Sequence, residues 1–303
     1  MRPSITVAIV TRNRAKDLED CLASLSRQDA PPGALLIVDN ASSDNTADVV
    51  RSFLPKLPIR LVHESVVGFS AVYNRALREA TTEWVAFIDS DCAADSRWYG
   101  EVVKAAHQHP QDAALVGPSC NHYGRNAYAC AFQFSNDWYR WRAIKEGEIV
   151  DYDVLDSRNI VYNASLLRQN DIRFDDSLQG SEDVDIGLQI FSKGLKAKAI
   201  EGMIVYHKEP RSMGAFFSRK LTYTAGEIAL LKKWGRIDHG SAKSRHAAPF
   251  YRLFASVATG LSIFQKILCA LIIAMDIVMT KRRIYFLILK MRYGGSRQAA
   301  VKS

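Results

Sequence analysis

Long apolar runs are missing from this sequence. The most apolar stretch near its C-terminal end, residues 267–275, is bounded by Lys266 and Asp276, well short of the roughly 20 residues a helix needs to span a bilayer. The opening MRPSITVAIVTRNR holds only a six-residue apolar run, which reads as a strand and not as an export signal. Cysteine is sparse and scattered: Cys21, Cys92, Cys120, Cys130 and Cys269 are odd in number and form no CxxC pair, which excludes a disulfide framework and a cysteine-built zinc site and fits a reducing, cytosolic setting. No glycine stands in Thr11-Arg12-Asn13-Arg14 after the first apolar run, so the basic, glycine-rich phosphate loop of a nucleotidyltransferase is absent. Internal repeats and low-complexity linkers are lacking too.

What is present is an ordinary globular composition. The 303 residues are 48% hydrophobic and 24% charged, enough for one large domain, or one domain with an appendage. Charge favours the second. Residues 1–207 carry 22 Lys and Arg against 28 Asp and Glu, whereas residues 208–303 carry 18 against 4, so a body of net −6 is followed by a tail of net +14. A solvated helical face explains such a tail, and so does an anionic surface such as lipid headgroups or nucleic acid. The expected division is a catalytic domain over 1–209 and a basic, amphipathic helical tail over 210–303.

Short apolar runs recur at 5–10, 34–39, 59–64 and 83–89, separated by segments of helical spacing at 15–27, 44–53 and 69–80, with Ser96 placed to cap a further helix through about 108. This βαβα rhythm predicts an α/β fold whose parallel sheet is covered on both faces. Binding residues are then expected where the carboxyl ends of the strands open into a crevice. Strands at 113–117, 157–162 and 200–207, and a helix opening near Glu182, complete the domain. Residues 118–151 are rich in aromatics, including Phe132, Phe134 and Trp138, which suit either a core-covering insertion or a wall that stacks on sugar rings. In the tail, Leu253, Val257, Leu261, Phe264, Leu268, Leu271 and Ile272, followed by Lys281, Arg282 and Arg283, suit a helix lying in a membrane interface, a buried packing helix or a dimer contact. No nucleic-acid recognition module is present, and helices with an apolar face fit lipid better.

Chemistry concentrates at the ends of the apolar runs. Asp89-Ser90-Asp91 follows WVAFI, and alternating carboxylates at a strand end converge on a divalent cation that neutralises a diphosphate; they also occur as a plain exposed turn. Asp39 ends the second run and shares the crevice edge with Asp89, placed to accept hydrogen bonds from a base or ribose, while Asp44 is placed to cap the next helix. Glu182 and Asp183 follow Gly180-Ser181 at a helix start, where acidic residues also serve electrostatic capping. His207 ends the last expected strand.

In order and approximate spacing, ITVAIVTRNR, IVDNASSDNT, the stretch Gly68-Phe69-Ser70-Ala71-Val72-Tyr73-Asn74-Arg75-Ala76, Asp89-Ser90-Asp91, Ser181-Glu182-Asp183-Val184-Asp185 and His207 resemble the inverting family 2 glycosyltransferases of the GT-A fold. The resemblance spans about residues 5–207. It implies a Rossmann-like, mostly parallel sheet with a C-terminal helical appendage and a nucleotide-diphosphate sugar donor held by Thr11, Arg12, Asp39, Asn74 and Asp89. It further implies Mn²⁺ or Mg²⁺ bound through Asp91 and His207, Asp183 as general base, and Glu182 orienting the acceptor. Leu230-Leu231-Lys232-Lys233-Trp234 stands nearest to the Gln-x-x-Arg-Trp string of processive members and lacks its Gln and Arg, so transfer without processivity is expected. The resulting expectation is an enzyme at the cytoplasmic face of a membrane, serving glycolipid, lipid-linked saccharide or cell-surface polysaccharide synthesis. A soluble acceptor, or a catalytically silent nucleotide-binding or membrane scaffold, are the alternatives.

Overall fold

The computed structural model describes residues 3–122, 124–145, 147–149, 155–178, 180–235 and 250–294. Its first half is the expected alternation: β1 (Ile5–Thr11), α1 (Ala15–Leu25), β2 (Leu35–Asp39), α2 (Thr46–Phe53), β3 (Ile59–His63), α3 (Phe69–Glu79) and β4 (Trp84–Ile88). There follow β5 (Cys92–Ala94), α4 (Trp98–Gln108), β6 (Ala114–Val116), β7 (Ser119–Asn121), α5 (Ala127–Ala143), β8 (Ile144–Lys145), β9 (Glu148–Ile149), β10 (Asn159–Asn163), α6 (Ala164–Gln169), α7 (Glu182–Ser192), β11 (Ala197–Ala199) and β12 (Val205–His207). The C-terminal part is helical: α8 (Met213–Trp234), α9 (Phe250–Val257) and α10 (Ile263–Gly294).

A nine-stranded sheet runs β3-β2-β1-β4-β10-β6-β11-β9-β8. The pairings β3–β2, β2–β1, β1–β4 and β6–β11 are parallel, whereas β10 opposes both neighbours. The continuous apolar runs of β1 and β4 follow from burial on both faces. Ile5, Val7 and Ile9 of β1 and Trp84, Ala86 and Ile88 of β4 pack with Leu18 and Leu22 of α1 and Val102 of α4. Their alternate neighbours Ala8, Val10, Val85 and Phe87 face Val72 and Ala76 of α3 and Ile186 of α7.

A second sheet, β5-β12-β7, starts just past the carboxyl end of β4. Of the strand expected over 200–207 only the end forms, as β12; residues 200–204 turn through Gly202 and separate it from β11, which precedes the expected span and lies in the other sheet. Asn159 holds this corner. Its Nδ2 donates to the carbonyls of Pro118 (3.0 Å) and Met203 (2.6 Å), and its Oδ1 accepts from Trp98 Nε1 at 2.9 Å. Gly117 permits the approach, since a Cβ there would stand 2.0 Å from the Met203 carbonyl oxygen. Ser96 is not the cap of α4: the helix opens at Trp98, and Asp95 closes the preceding turn by accepting from the Arg97 and Trp98 amides.

The aromatic insertion is mainly α5, and its described aromatics serve packing. Phe132 and Phe134 lie in a separate apolar cluster with Phe216 of α8 and with Cys269, Ile272 and Ile273 of α10. Tyr123, and the side chains of Tyr139 and Trp141, lie outside the described residues. Contacts also cross the expected boundary at 209/210. Lys233 and Trp234 of α8 donate to Asp185 of α7 at 2.9 and 2.7 Å, which ties α8 to the sheet body.

Candidate active site

The parallel strands β1, β2 and β4 bring Thr11, Asp39 and Asp89 to one edge, with Thr11 and Asp39 paired in register. Because β10 runs the opposite way, its beginning meets that same edge: Asn159 pairs with Ile88, and the Asp89 amide donates to the Arg158 carbonyl at 3.4 Å. One antiparallel strand thereby delivers Asp156 and Arg158 to the rim.

The loops after β1 and β2 are stitched together. Asn13 Oδ1 accepts from the Ser43 amide at 2.7 Å, and Asp44 accepts from the Ala15 amide at 3.1 Å while closing the start of α2 through Thr46. Asp44 therefore secures the openings of two helices. Asp39 is buried and accepts from the Ser42 amide at 3.2 Å, which leaves its Oδ2 toward His63. Thr11 Oγ1 is buried with no hydrogen-bond partner, and Arg12 is exposed beside it.

Asn74 does not join this rim. Its Nδ2 donates to the Phe174 carbonyl (2.8 Å) and Asp176 (3.2 Å), and its Oδ1 accepts from the Phe174 amide at 3.0 Å. An amide with these three bonds is a brace between α3 and the segment before α7, so the nucleotide contact expected of it is corrected to a structural one. Its neighbour Tyr73 points into the site instead, donating to Asp89 Oδ1 at 3.3 Å.

Asp91 and His207 meet through the β5–β12 pairing, which places His207 opposite Cys92. Asp91 Oδ1 lies 3.3 Å from His207 Nε2, and Asp91 Oδ2 accepts from Arg14 at 2.7 Å. On the far side of the ring, Glu209 Oε1 lies 3.2 Å from Nδ1 and accepts from Arg158 Nη1 at 2.9 Å. Arg158 is clamped in turn by Asp156. Burial opposes ionisation of Asp91, but the hydrogen bond and charge of His207, with Arg14 and Arg219, hold its carboxyl well below the usual range. For His207, burial disfavours the imidazolium, and the hydrogen bonds to Asp91 and Glu209 prevail, raising it to about 9.

Ligating atoms of Asp91, Cys92 and His207 lie within 4.8 Å of one another. Burial, then the charges of Asp89 and Asp91, push the Cys92 thiol far above its ordinary range, and a soft sulfur donor is a poor match for a hard cation. The remaining carboxylate oxygen and imidazole nitrogen suit a hard or borderline cation. The carboxylate behind Nδ1 supplies the outer support that metal-binding histidines commonly have. The residues therefore fit Mn²⁺ or Mg²⁺.

Glu182 and Asp183 open α7, reached through Gly180 (φ +102°) and Ser181 (φ +59°). Gly226 of α8 packs onto this turn so closely that a Cβ would stand 2.3 Å from Ser181 Oγ and 2.8 Å from the Gly180 backbone. Glu182 is buried with Oε2 unpartnered, and its carboxyl is raised by burial and by the charge of Asp89. Asp183, whose Oδ1 accepts from its neighbour Val184's amide at 2.9 Å, is pushed up to about 8 by desolvation and by the charges of Glu182 and Asp156. Asp89, Glu182 and Asp183 all act electrostatically on the Tyr73 hydroxyl, so the strand-end carboxylate and the pair opening α7 lie close to one another around that ring.

Of the residues expected from the sequence, Asp89, Asp91, His207, Glu182 and Asp183 lie at this edge; Arg14, Tyr73, Asp156, Arg158 and Glu209, to which sequence reasoning assigned no role, contact or surround them. Alternation in Asp156-Ser157-Arg158 and His207-Lys208-Glu209 was the available signal, since extended residues two apart share a face. Lys208, next to His207, is committed to Asp17 and Asp20 of α1 at 2.8 and 2.7 Å.

A mostly parallel sheet with acidic residues at its carboxyl edge is the GT-A type of architecture, and similar solved structures agree. A mannosyltransferase from Pyrobaculum calidifontis, in complex with GDP-Man and Mn²⁺, superposes with a TM-score of 0.63 at 20% identity, covering 97% of this chain and 88% of that one. Residues 1–349 of TarS from S. aureus, in complex with UDP-GlcNAc, give a TM-score of 0.55 at 20% identity, covering 87% and 69%. The chain matches the family described as Glycosyl transferase family 2 over residues 6–169 and belongs to it. Among curated relatives, the chondroitin synthase of Pasteurella multocida (strain Pm70) is 25% identical over 68% of this chain and 25% of its own length. The uncharacterized glycosyltransferase EpsJ of Bacillus subtilis (strain 168) is 21% identical over 70% and 63%. The chain thus spans a quarter to just under two thirds of these relatives.

Proposed function

We propose that the protein is a divalent-cation-dependent, inverting glycosyltransferase that moves a sugar, without processivity, from a nucleotide-diphosphate donor to an acceptor hydroxyl. The observation that carries this reading is the pairing of two unlike acidic centres in one crevice: Asp91, ionised against His207 and Arg14, and Asp183, raised to about 8 beside Glu182. The nucleotide complexes of the similar structures support the donor class.

Thr11, Arg12 and Asp39 hold the base and ribose, with the unpartnered Thr11 hydroxyl and Asp39 Oδ2 as hydrogen-bonding groups, and Asp89 braces the site through Tyr73. Asp91 and His207 would hold Mn²⁺ or Mg²⁺, which supplies charge neutralisation for the departing diphosphate. Asp183 accepts the acceptor's hydroxyl proton as that oxygen bonds to the anomeric carbon and the bond from this carbon to the diphosphate oxygen breaks on the opposite face. A base whose proton affinity lies near neutral pH suits this task. Glu182, through its free Oε2, orients the acceptor. The acceptor is a saccharide, lipid-linked at the cytoplasmic face of a membrane, in synthesis of glycolipid or cell-surface polysaccharide; a soluble acceptor is the competing case.

Calorimetric titration of UDP, GDP and dTDP, with and without Mn²⁺, tests this. We expect one nucleotide to bind with metal, to lose that binding in Asp91→Ala and to keep it in Asp183→Ala. Folded protein that binds none of them with either Mn²⁺ or Mg²⁺ refutes the assignment.

A further inference from the structure

Helix α10 has two unlike faces. Cys269, Ile272 and Ile273 are buried in the cluster with Phe132 and Phe134 of α5 and Phe216 of α8. The other face leaves Ile263 79%, Phe264 76%, Ile267 55% and Leu271 62% exposed, and the pattern continues through Met275 and Val278. These positions recur at three- and four-residue spacing, one stripe along the helix. The sequence-based choice of lipid-facing residues is corrected here. Leu261 and Ile272 are buried, and Val257 and Leu268 pack against the same cluster, while Phe264 and Leu271 are exposed as expected; the side chain of Leu253 lies outside the described residues.

Charge selects the occupant. Asp276 is the only acid between residues 263 and 303, and it is turned inward, accepting from Ser135 at 2.9 Å and from Lys220 at 2.8 Å. The rest of α10 and the sequence beyond it carry Lys281, Arg282, Arg283, Lys290, Arg292, Arg297 and Lys302. Two copies meeting through this segment would bring together two net charges of +7, whereas an anionic lipid surface complements them. No helix among the described residues is long and apolar enough to cross a membrane. A helix with a bare apolar stripe and a basic continuation lies in the plane of the interface.

We propose that the stripe Ile263, Phe264, Ile267 and Leu271 docks the enzyme on an anionic lipid surface. This rests on the reading of a membrane-side acceptor and supplies its physical basis. The face is fixed to the catalytic body through α5, whose Asn136 donates to Glu209 behind His207 at 3.3 Å, so docking would set the crevice at a defined attitude to the bilayer.

Flotation of the full chain with phosphatidylcholine vesicles, with and without 30 mol% phosphatidylglycerol, at low and high salt tests this. Wild type should float with the anionic vesicles and lose at least about tenfold in partitioning as salt rises or the anionic lipid is omitted. Phe264→Glu with Leu271→Glu, both at exposed positions, should lose at least about tenfold on anionic vesicles while metal-dependent nucleotide binding stays unchanged. The proposal is overturned if wild type fails to float, or if the double variant floats equally well. It is also overturned if wild type sediments as a dimer that this variant dissociates, which makes a second copy the occupant. Nucleotide binding read in the same samples separates the outcomes: vesicle failure with binding intact removes the docking face alone, and loss of nucleotide binding in wild type removes the enzymatic reading instead.

Discussion

Replacing Asp183 by Asn should make the protein more stable and almost inactive. The carboxyl is raised from its ordinary 3.8 to about 8 by desolvation, then by Glu182 and Asp156, so ionising it costs more in the fold than in the unfolded chain. At about 1.4 kcal/mol per unit, that gap bounds the penalty at about 6 kcal/mol. Asp183 keeps part of its surface in water, and we take the realised value as about 1–2 kcal/mol. The sign follows from linkage. The unfolded chain releases this proton near pH 4 and the fold holds it to about pH 8, so the site's contribution to stability is lost progressively as pH rises through that window. Asn removes the titration. The melting temperature of Asp183→Asn should match wild type near pH 4, then exceed it increasingly up to about pH 8 and level off, by about 2–8 °C for a chain of this size. Scanning fluorimetry at half-unit pH intervals measures this. Activity, followed as release of nucleotide diphosphate, should fall by about 10²–10⁴ in the variant, and the wild-type rate should decline on the acid side of about pH 8. A melting difference that is flat with pH, or that favours wild type, refutes the assignment of a proton-holding carboxyl at Asp183.

Other perturbations separate the supporting roles. Glu209→Met removes the acceptor behind His207 Nδ1 and should weaken Mn²⁺ binding about 10–100-fold by electron paramagnetic resonance titration, whereas Glu209→Gln, which keeps an acceptor, should recover most of it; equal affinities in both variants and wild type count against a positioning role. Gly226→Ala forces a Cβ against Ser181 and Gly180 and should lower kcat with little change in nucleotide affinity, since it shifts Glu182 and Asp183 and not the Asp39 rim. Asn159→Ala leaves Trp98 Nε1 and two carbonyls without their partner and should cost about 2–4 kcal/mol in urea denaturation; a loss below about 1 kcal/mol contradicts that accounting.

Most of the sheet could be read before any coordinates because β1, β2 and β4 are buried on both faces, which demands unbroken apolar runs bounded by turns. The joint between β11 and β12 could not, since Ile200, Met203 and Ile204 extend the apolar pattern toward β12, while the chain turns there, the Met203 amide donating to the Ile200 carbonyl at 3.2 Å. In the site, carboxylates at the ends of parallel strands announced themselves. Arg158 and Glu209 did not, because their importance comes from β10 entering antiparallel and from β12 lying in a second sheet, pairings no local pattern encodes. Asn74 misled for the opposite reason: its place in a motif suggested a ligand contact, while its amide is committed to the backbone and side chain of a segment 100 residues away.

The electrostatic division of the crevice ties these particulars to function. Asp91 and Asp183 begin as the same chemical group, and both are buried enough for desolvation to be the largest influence on each. They diverge through their neighbours. Asp91 lies against His207 and Arg14 within 3.3 Å, so it stays an anion at working pH and suits a fixed positive charge. Asp183 has carboxylates for neighbours, Glu182 and Asp156, so it retains a proton until near neutrality and suits proton exchange. Separation of carboxyl proton affinities by environment assigns acid–base roles within a site, and here the assignment follows chain topology. The cation-rich side is built from β5, β12 and the loop before α1. The anion-rich side is built from the start of α7, wedged against Gly226 of α8 and facing the loop before β10. The fold therefore assigns opposite tasks to two aspartates by bringing unlike stretches of chain to one edge of a sheet.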